Sequence, residues 1–135
     1  MLTRLLRPKS ELFFTVLRVG AGLMFMCHGL QKLFGLLGGQ SMAVGSKLWF
    51  GGIIELTTGL AMTFGFLTTY AALLAAAMMA VAYYTAHWKL AFGTGFFPIV
   101  NRGELAAVYL LLFLYIGARG AGPYSLDAKL ARKPG

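Results

Sequence analysis

Charged residues and cysteines are both scarce in this chain of 135 residues. Only 12% of the residues are charged and 59% are hydrophobic, whereas a typical soluble domain has roughly 25% charged residues. This composition excludes an ordinary soluble domain. Cys27 is the single cysteine, so an intramolecular disulfide and a CxxC redox pair are also excluded. The sequence contains no GxGxxG, CxxCH or cysteine-cluster motif, so no flavin, haem or iron–sulfur signature is present.

Long apolar runs dominate the sequence instead. A helix needs about 20 residues to cross the hydrocarbon core of a membrane, and backbone groups within lipid must be hydrogen-bonded internally. Runs of this length without strand-like alternation predict helices. We therefore predict an all-α fold, an integral membrane four-helix bundle that forms a single domain over residues 1–135. The predicted spans cover residues 12–34, 49–66, 70–87 and 104–120. Beyond them, Ser125 is expected to cap a short surface helix.

The basic residues are distributed unequally between the two sides of this arrangement. With four spans, the two tails and the turn at 67–69 share one side, and the two long connections share the other. The first side carries Arg4, Arg7, Lys9, Arg119, Lys129, Arg132 and Lys133. The second side carries Lys32, Lys47, Lys89 and Arg102. This asymmetry predicts that both termini are cytoplasmic. It also explains the net charge of +8 without a nucleic-acid-binding surface.

Glu55 is an isolated charge inside the second apolar run. An ionisable group within a span costs about 2.5–3.5 kcal/mol on insertion scales, so it is expected to face a partner, water or a ligand. Alternating span directions place Glu55 near the same outer membrane face as four other polar residues. We predict one ligand-binding pocket in the outer leaflet, with His87 and Glu104 at its rim and the two long connections closing it. Its candidate residues are His28, Lys32, Glu55, His87 and Glu104.

Two interpretations of this polar cluster stay open. Glu55 either accepts a proton or a hydrogen bond from a ligand, or forms a structural bond with His28 or Lys32 that locks two helices together. Gly52 and Gly59 lie on the face of Glu55, and small residues there permit close approach of a helix or of a flat ligand. No HxxxH or ExxH spacing is present, so no metal site is predicted.

Arg18 is a second charge within an apolar run, in the cytoplasmic third of the first span. The other spans contain no acidic residue at the same depth. We therefore expect its side chain to extend to lipid phosphate at the cytoplasmic surface.

Several segments resemble the DoxX family. HGLQKLFG at residues 28–35 is similar to its HGxxKLFG-type signature. GIIEL at 52–56, followed by GL at 59–60 and GFLT at 65–68, is similar to its second-span pattern, although Thr69 stands where the family commonly has arginine. GPYSLD at 122–127 resembles its usual ending. The resemblance implies a four-helix protein of the bacterial inner membrane. The family name is linked to a subunit of a thiosulfate:quinone oxidoreductase, and relatives are associated with oxidative or thiol stress.

The resemblance favours one function over two alternatives. It implies an integral membrane subunit of, or partner to, a quinone-linked oxidoreductase, which offers the pocket of Glu55, His28 and Lys32 to a quinone headgroup. Such a subunit has no intrinsic cofactor and depends on soluble or membrane redox partners, and its own enzymatic activity stays open. The alternatives are a small permease or proton-linked channel, for which four spans are few unless the chain forms a homo-oligomer, and a membrane assembly or structural protein.

Overall fold

The computed structural model describes residues 2–132, and helices account for most of them. No β-strand occurs within this range, so the all-α prediction is confirmed. Lys133, one of the basic residues counted in the C-terminal tail, lies outside the described residues. In chain order the α-helices are α1 Leu2–Leu6, α2 Ser10–Phe34, α3 Lys47–Phe64, α4 Thr68–Ala82, α5 Pro98–Asn101, α6 Glu104–Arg119 and α7 Leu126–Ala131.

Four of these helices, α2, α3, α4 and α6, correspond to the four apolar runs of the sequence. A 3-10 turn at Arg7–Lys9 joins α1 to α2, and a π-helical segment at Tyr83–Trp88 extends α4. Among residues 2–132, two helical stretches are long and apolar enough to cross a membrane, namely Thr3–Phe34 and Thr68–Trp88.

The helix ends follow local sequence signals. Ser46 caps α3 by accepting a hydrogen bond from the backbone N–H of Trp49, and Ser125 caps α7 in the same way through Ala128. The predicted cap at Ser125 is therefore confirmed. Gly65 ends α3 with φ of 68°, a left-handed conformation that glycine adopts without steric cost.

Helices α2 and α3 pack so closely that their backbones touch. A β-carbon built on Gly59 lies 2.6 Å from the backbone nitrogen of Met26, and one built on Gly29 lies 2.5 Å from the backbone nitrogen of Leu56. A β-carbon built on Gly52 lies 2.9 Å from the β-carbon of Lys32. Gly52 and Gly59 therefore serve helix packing, one of the two roles that the sequence left open for them. They leave no room for a flat ligand between the two helices.

The contact between α2 and α6 is of a different kind. Close backbone packing joins α2 to α3, α3 to α4 and α4 to α6, whereas α2 meets α6 mainly through aromatic side chains. Ring centroids are 6.0 Å apart for Phe14 and Tyr115, and 4.7 Å apart for Phe25 and Phe113. We call this boundary the α2–α6 seam. Because side chains rather than backbones fill it, recesses can form at both of its ends.

Arg18 is buried inside the protein, with 1% of its surface exposed. Its Nη1 donates hydrogen bonds to the carbonyl oxygens of Met62 (2.5 Å) and Thr63 (3.3 Å), and its Nη2 donates to that of Tyr124 (2.8 Å). The prediction of a lipid contact for Arg18 is therefore wrong. The last carbonyl groups of a helix have no hydrogen-bond partner within it and carry partial negative charge. The carbonyl groups at the end of α3 therefore accept the hydrogen bonds of Arg18 in place of a lipid phosphate.

The C-terminal segment is fastened to the turn between α3 and α4. The carboxylate of Asp127 accepts hydrogen bonds from the backbone N–H groups of Leu67 (2.8 Å) and Thr68 (3.0 Å), which begin α4. In return, the backbone N–H of Asp127 donates to the carbonyl oxygen of Gly65 at 2.8 Å. The GPYSLD ending thus caps a helix that lies far from it in sequence.

The free energy of unfolding should depend on pH because Asp127 must be ionised to cap α4 fully. Partial burial opposes ionisation of Asp127, but the N–H groups of Thr68 and Leu67 and the charge of Arg18 outweigh it and lower the pKa of the carboxyl below its usual range. A carboxyl group whose pKa is lowered by folding stabilises the folded protein when it is ionised. This stabilisation is complete above the pKa of the unfolded state, about 3.9, and is lost as pH falls through the pKa of the folded state. We expect Asp127→Asn to reduce the free energy of unfolding by about 1 kcal/mol at pH 7.

Thermal unfolding of wild type and Asp127→Asn between pH 7 and pH 3 tests this expectation. Because the folded pKa of Asp127 lies below the unfolded value, the difference should be constant down to about pH 4 and shrink as pH falls further. Glu11→Gln serves as the control, because that carboxylate is about half exposed. A difference for Asp127→Asn that is independent of pH would contradict the assignment.

Candidate functional site

A cavity of about 250 Å³ lies at one end of the α2–α6 seam, where α2 ends and α6 begins. Phe25, Met79, Ala82, Leu105 and Ala106 form its apolar walls. Its polar lining comes from α2, α3, α6 and the connection between α4 and α6, and consists of His28, Lys32, Glu55, His87, Arg102 and Tyr109.

An ion pair between α2 and α3 forms one side of the cavity. Lys32 Nζ donates to Glu55 Oε1 at 2.5 Å, and Glu55 is only 3% exposed. Within residues 2–132, the second carboxylate oxygen, Oε2, has no hydrogen-bond partner. A buried polar atom without a partner is costly. Glu55 therefore offers a free acceptor at a cavity wall, where a ligand or water can satisfy it.

Aromatic rings close the cavity toward the centre of the protein. The His28 ring stands edge-on to the ring of Tyr109, with centroids 6.3 Å apart. Tyr109 in turn stacks on Phe113 at 5.1 Å and contacts Phe25 at 5.4 Å. Because Phe25 and Phe113 are fully buried, this layer separates the polar cavity from the apolar core below it.

The wall that carries His87 is shaped by the π-helical segment at the end of α4. Wider π-turns are uncommon and often occur at functional sites. Asn101 holds the following connection against this segment, since its side-chain nitrogen donates to Tyr83 Oη (3.1 Å) and its backbone oxygen lies 3.3 Å from His87 Nδ1. This arrangement brings Arg102 to the cavity.

Glu104 does not line the cavity itself, and it lies beside it. It contributes with Val108 to a surface depression that shares Arg102 and Leu105 with the cavity. Successive residues of an α-helix are rotated by about 100°, so Leu105, Ala106 and Tyr109 face the cavity while Glu104 and Val108 face outward. The cavity thus gains a cation, Arg102, in place of an expected acid.

Three residues of the site were not predicted from the sequence. Arg102 was counted only as a charge of the connection, and Asn101 and Tyr109 carry no motif. Their positions depend on how the connection between α4 and α6 folds back and on the rotation of α6. Among the described residues, no group of three or more His, Cys, Asp or Glu side chains is arranged to hold a metal ion.

Comparison with known proteins identifies the family. The DoxX family model matches residues 13–88, which include His28, Lys32, Glu55 and His87. This chain belongs to the DoxX family. It is 37% identical over 125 residues to a Haemophilus influenzae protein described as an uncharacterized protein, with 90% of this chain and 92% of that protein covered. No solved structure matches the chain. Family membership and the two apolar helices together indicate a membrane protein.

Proposed function

We propose that this DoxX protein is a multi-pass subunit of the bacterial inner membrane that binds a quinone headgroup and works with a partner oxidoreductase. The observation that carries the proposal is the unpartnered Oε2 of Glu55, a buried acceptor beside Lys32 at a cavity wall. A quinol hydroxyl can donate to this oxygen. Lys32, Arg102 and His28 can stabilise the carbonyl or anionic oxygen of the same ring.

The size and surroundings of the cavity suit a single ring. Sites for drug-sized ligands measure roughly 300–1,000 Å³, whereas this cavity measures about 250 Å³. A headgroup fits and a long isoprenoid tail does not. In our proposal only the headgroup enters the cavity, and the tail stays outside it in the lipid.

Two features weigh against the alternative functions. A permease needs a polar path, but the layer of Phe25, Tyr109 and Phe113 closes the cavity below its polar lining. A purely structural role accounts for the pairing of Glu55 Oε1 with Lys32, yet it leaves Oε2 unexplained. Because the sequence carries no flavin, haem or iron–sulfur motif, we propose that electrons reach a bound quinone from a partner subunit.

Replacement of Glu55 by glutamine tests the proposed site. Gln keeps the side-chain shape but removes the negative charge, so a charge-assisted hydrogen bond to the ligand is lost. Such bonds contribute about 1.5 kcal/mol or more, and we expect the affinity for a short-chain quinol to fall about tenfold. Quenching of tryptophan fluorescence in detergent-solubilised protein measures the binding.

Glu11→Gln is the matched control, since Glu11 pairs with Arg119 at 2.5 Å outside the cavity. It should bind the quinol like wild type. His28→Ala should also weaken binding. Unchanged affinity in Glu55→Gln and His28→Ala proteins with normal thermal melts would reject the site and favour the packing role.

The proposed topology has four spans and cytoplasmic termini. The proposal is supported by the excess of basic residues on the side of the two tails. The ion pair of Glu11, near the start of α2, with Arg119, at the end of α6, also agrees with a topology in which these helix ends share one side of the membrane. We expect a C-terminal alkaline phosphatase fusion to be inactive and a C-terminal fluorescent protein to be bright. An active phosphatase fusion would overturn this orientation.

A further inference from the structure

A second recess, which we call the basic groove, lies at the opposite end of the α2–α6 seam from the cavity. It has a volume of about 820 Å³ and opens to the surface. Its floor is apolar and includes Phe13, Leu17 and Tyr115, all of them substantially exposed. Arg7 and Arg119 lie at its polar rim. An exposed apolar floor beside two guanidinium groups is the pattern of a site for an amphiphilic anion.

The charges around the basic groove favour an anion. Arg119 lies over the ring of Phe14, with its guanidinium carbon 3.9 Å from the ring centroid. Its Nη2 pairs with the carboxylate of Glu11, which follows the groove residue Ser10 in the chain. Arg7, Arg4 and Lys9 add three further cations in the same segment. The positive charge at this end therefore exceeds what Glu11 can neutralise.

We propose that the basic groove binds one anionic phospholipid, with its phosphate between Arg7 and Arg119 and an acyl chain across Phe13 and Leu17. Arginine is suited to phosphate because its planar donors can bond two oxygens at once. Basic pockets at the cytoplasmic side of membrane helices attract anionic headgroups. The apolar floor accounts for the acyl chain, which free phosphate lacks. This inference is independent of the quinone proposal, and it rests on the proposed topology, in which this end of α2 lies at the cytoplasmic surface of the membrane.

Lipid titration of the purified chain in nonionic detergent, followed by native mass spectrometry, tests the inference. The probes are phosphatidylglycerol and phosphatidylcholine with identical acyl chains. We expect phosphatidylglycerol to bind more tightly, and Arg7→Gln to weaken its binding about fivefold. Glu11→Gln, which removes the acid that competes for Arg119, should strengthen its binding.

Arg4→Gln is the matched control, because it removes the same charge three residues away and Arg4 does not line the groove. It should leave the affinity for phosphatidylglycerol unchanged. If Arg4→Gln and Arg7→Gln weakened phosphatidylglycerol binding equally, the lipid would respond to the general surface charge and the proposed site would be rejected. Equal binding of the two lipids, or displacement of phosphatidylglycerol by inorganic phosphate at millimolar concentration, would overturn it as well. Both arginines are surface groups, so thermal melts should show intact folding.

Discussion

Replacement of Arg18 by methionine is expected to lower the free energy of unfolding by about 3 kcal/mol or more. Arg18 is buried and donates to the carbonyl oxygens of Met62, Thr63 and Tyr124. Hydrogen bonds to charged groups contribute about 1.5–3 kcal/mol each, and their loss leaves buried carbonyls without a donor. Unfolding in mixed micelles, followed by tryptophan fluorescence, measures the change.

Two further variants sharpen this test. Arg4→Met removes an exposed arginine of the same N-terminal region, and it should change the stability by no more than about 0.5 kcal/mol. Arg18→Lys keeps the charge but not the planar fork of donors, so its stability should lie between wild type and Arg18→Met. If Arg18→Met were as stable as wild type, the hydrogen bonds from Arg18 to the end of α3 and to Tyr124 would not stabilise the fold.

Replacement of Gly29 by alanine is expected to destabilise the protein by roughly 1–3 kcal/mol, the usual cost of overpacking. The added methyl group would lie 2.5 Å from the backbone nitrogen of Leu56 and 2.7 Å from the backbone oxygen of Gly52. Backbone atoms cannot rotate away, so α2 and α3 must move apart. The same movement would lengthen the contact of Lys32 with Glu55, and quinol affinity should fall together with stability.

Gly20 provides the matched control in the same helix. A β-carbon built there meets nothing within 4 Å. Gly20→Ala should therefore stabilise the protein by about 0.5–1 kcal/mol, since alanine favours helix more than glycine does. Thermal unfolding of the two variants compares identical chemical changes in different surroundings. Destabilisation of both to the same extent would argue against the close contact of α2 with α3.

The segments that resemble DoxX motifs divide between two parts of the protein. The segment at 28–35 supplies His28 and Lys32 to the cavity. The turn at 65–68 and the ending at 122–127 lie at the other end, where Arg18 and Asp127 bind them together. The second group of motifs therefore belongs to the architecture, while the first belongs to the proposed site.

Much of the candidate site could be predicted because charge is rare in this sequence. Glu55, Lys32, His28 and His87 stand out within apolar runs, and alternating helix directions bring them to similar depth. Depth alone does not define rotation about the helix axis, so it does not show that Glu104 lies beside the cavity and not on its wall. When every face of a helix is apolar, periodicity does not mark the buried side. The sequence therefore did not show that Arg102, and not Glu104, lines the cavity.

The sequence by itself determined the all-α class, the four long helices, the cap at Ser125 and the family. These properties depend on local composition and on signals within a few residues. Tertiary structure alone decided that Arg18 binds backbone carbonyls, that Gly29 and Gly59 bring α2 against α3, and that recesses form at both ends of the α2–α6 seam. The physical reason is that every residue has a backbone carbonyl oxygen. The residue types therefore do not indicate which carbonyl groups a buried arginine will bind. Helix rotation and the spacing between helices arise only when all side chains pack together.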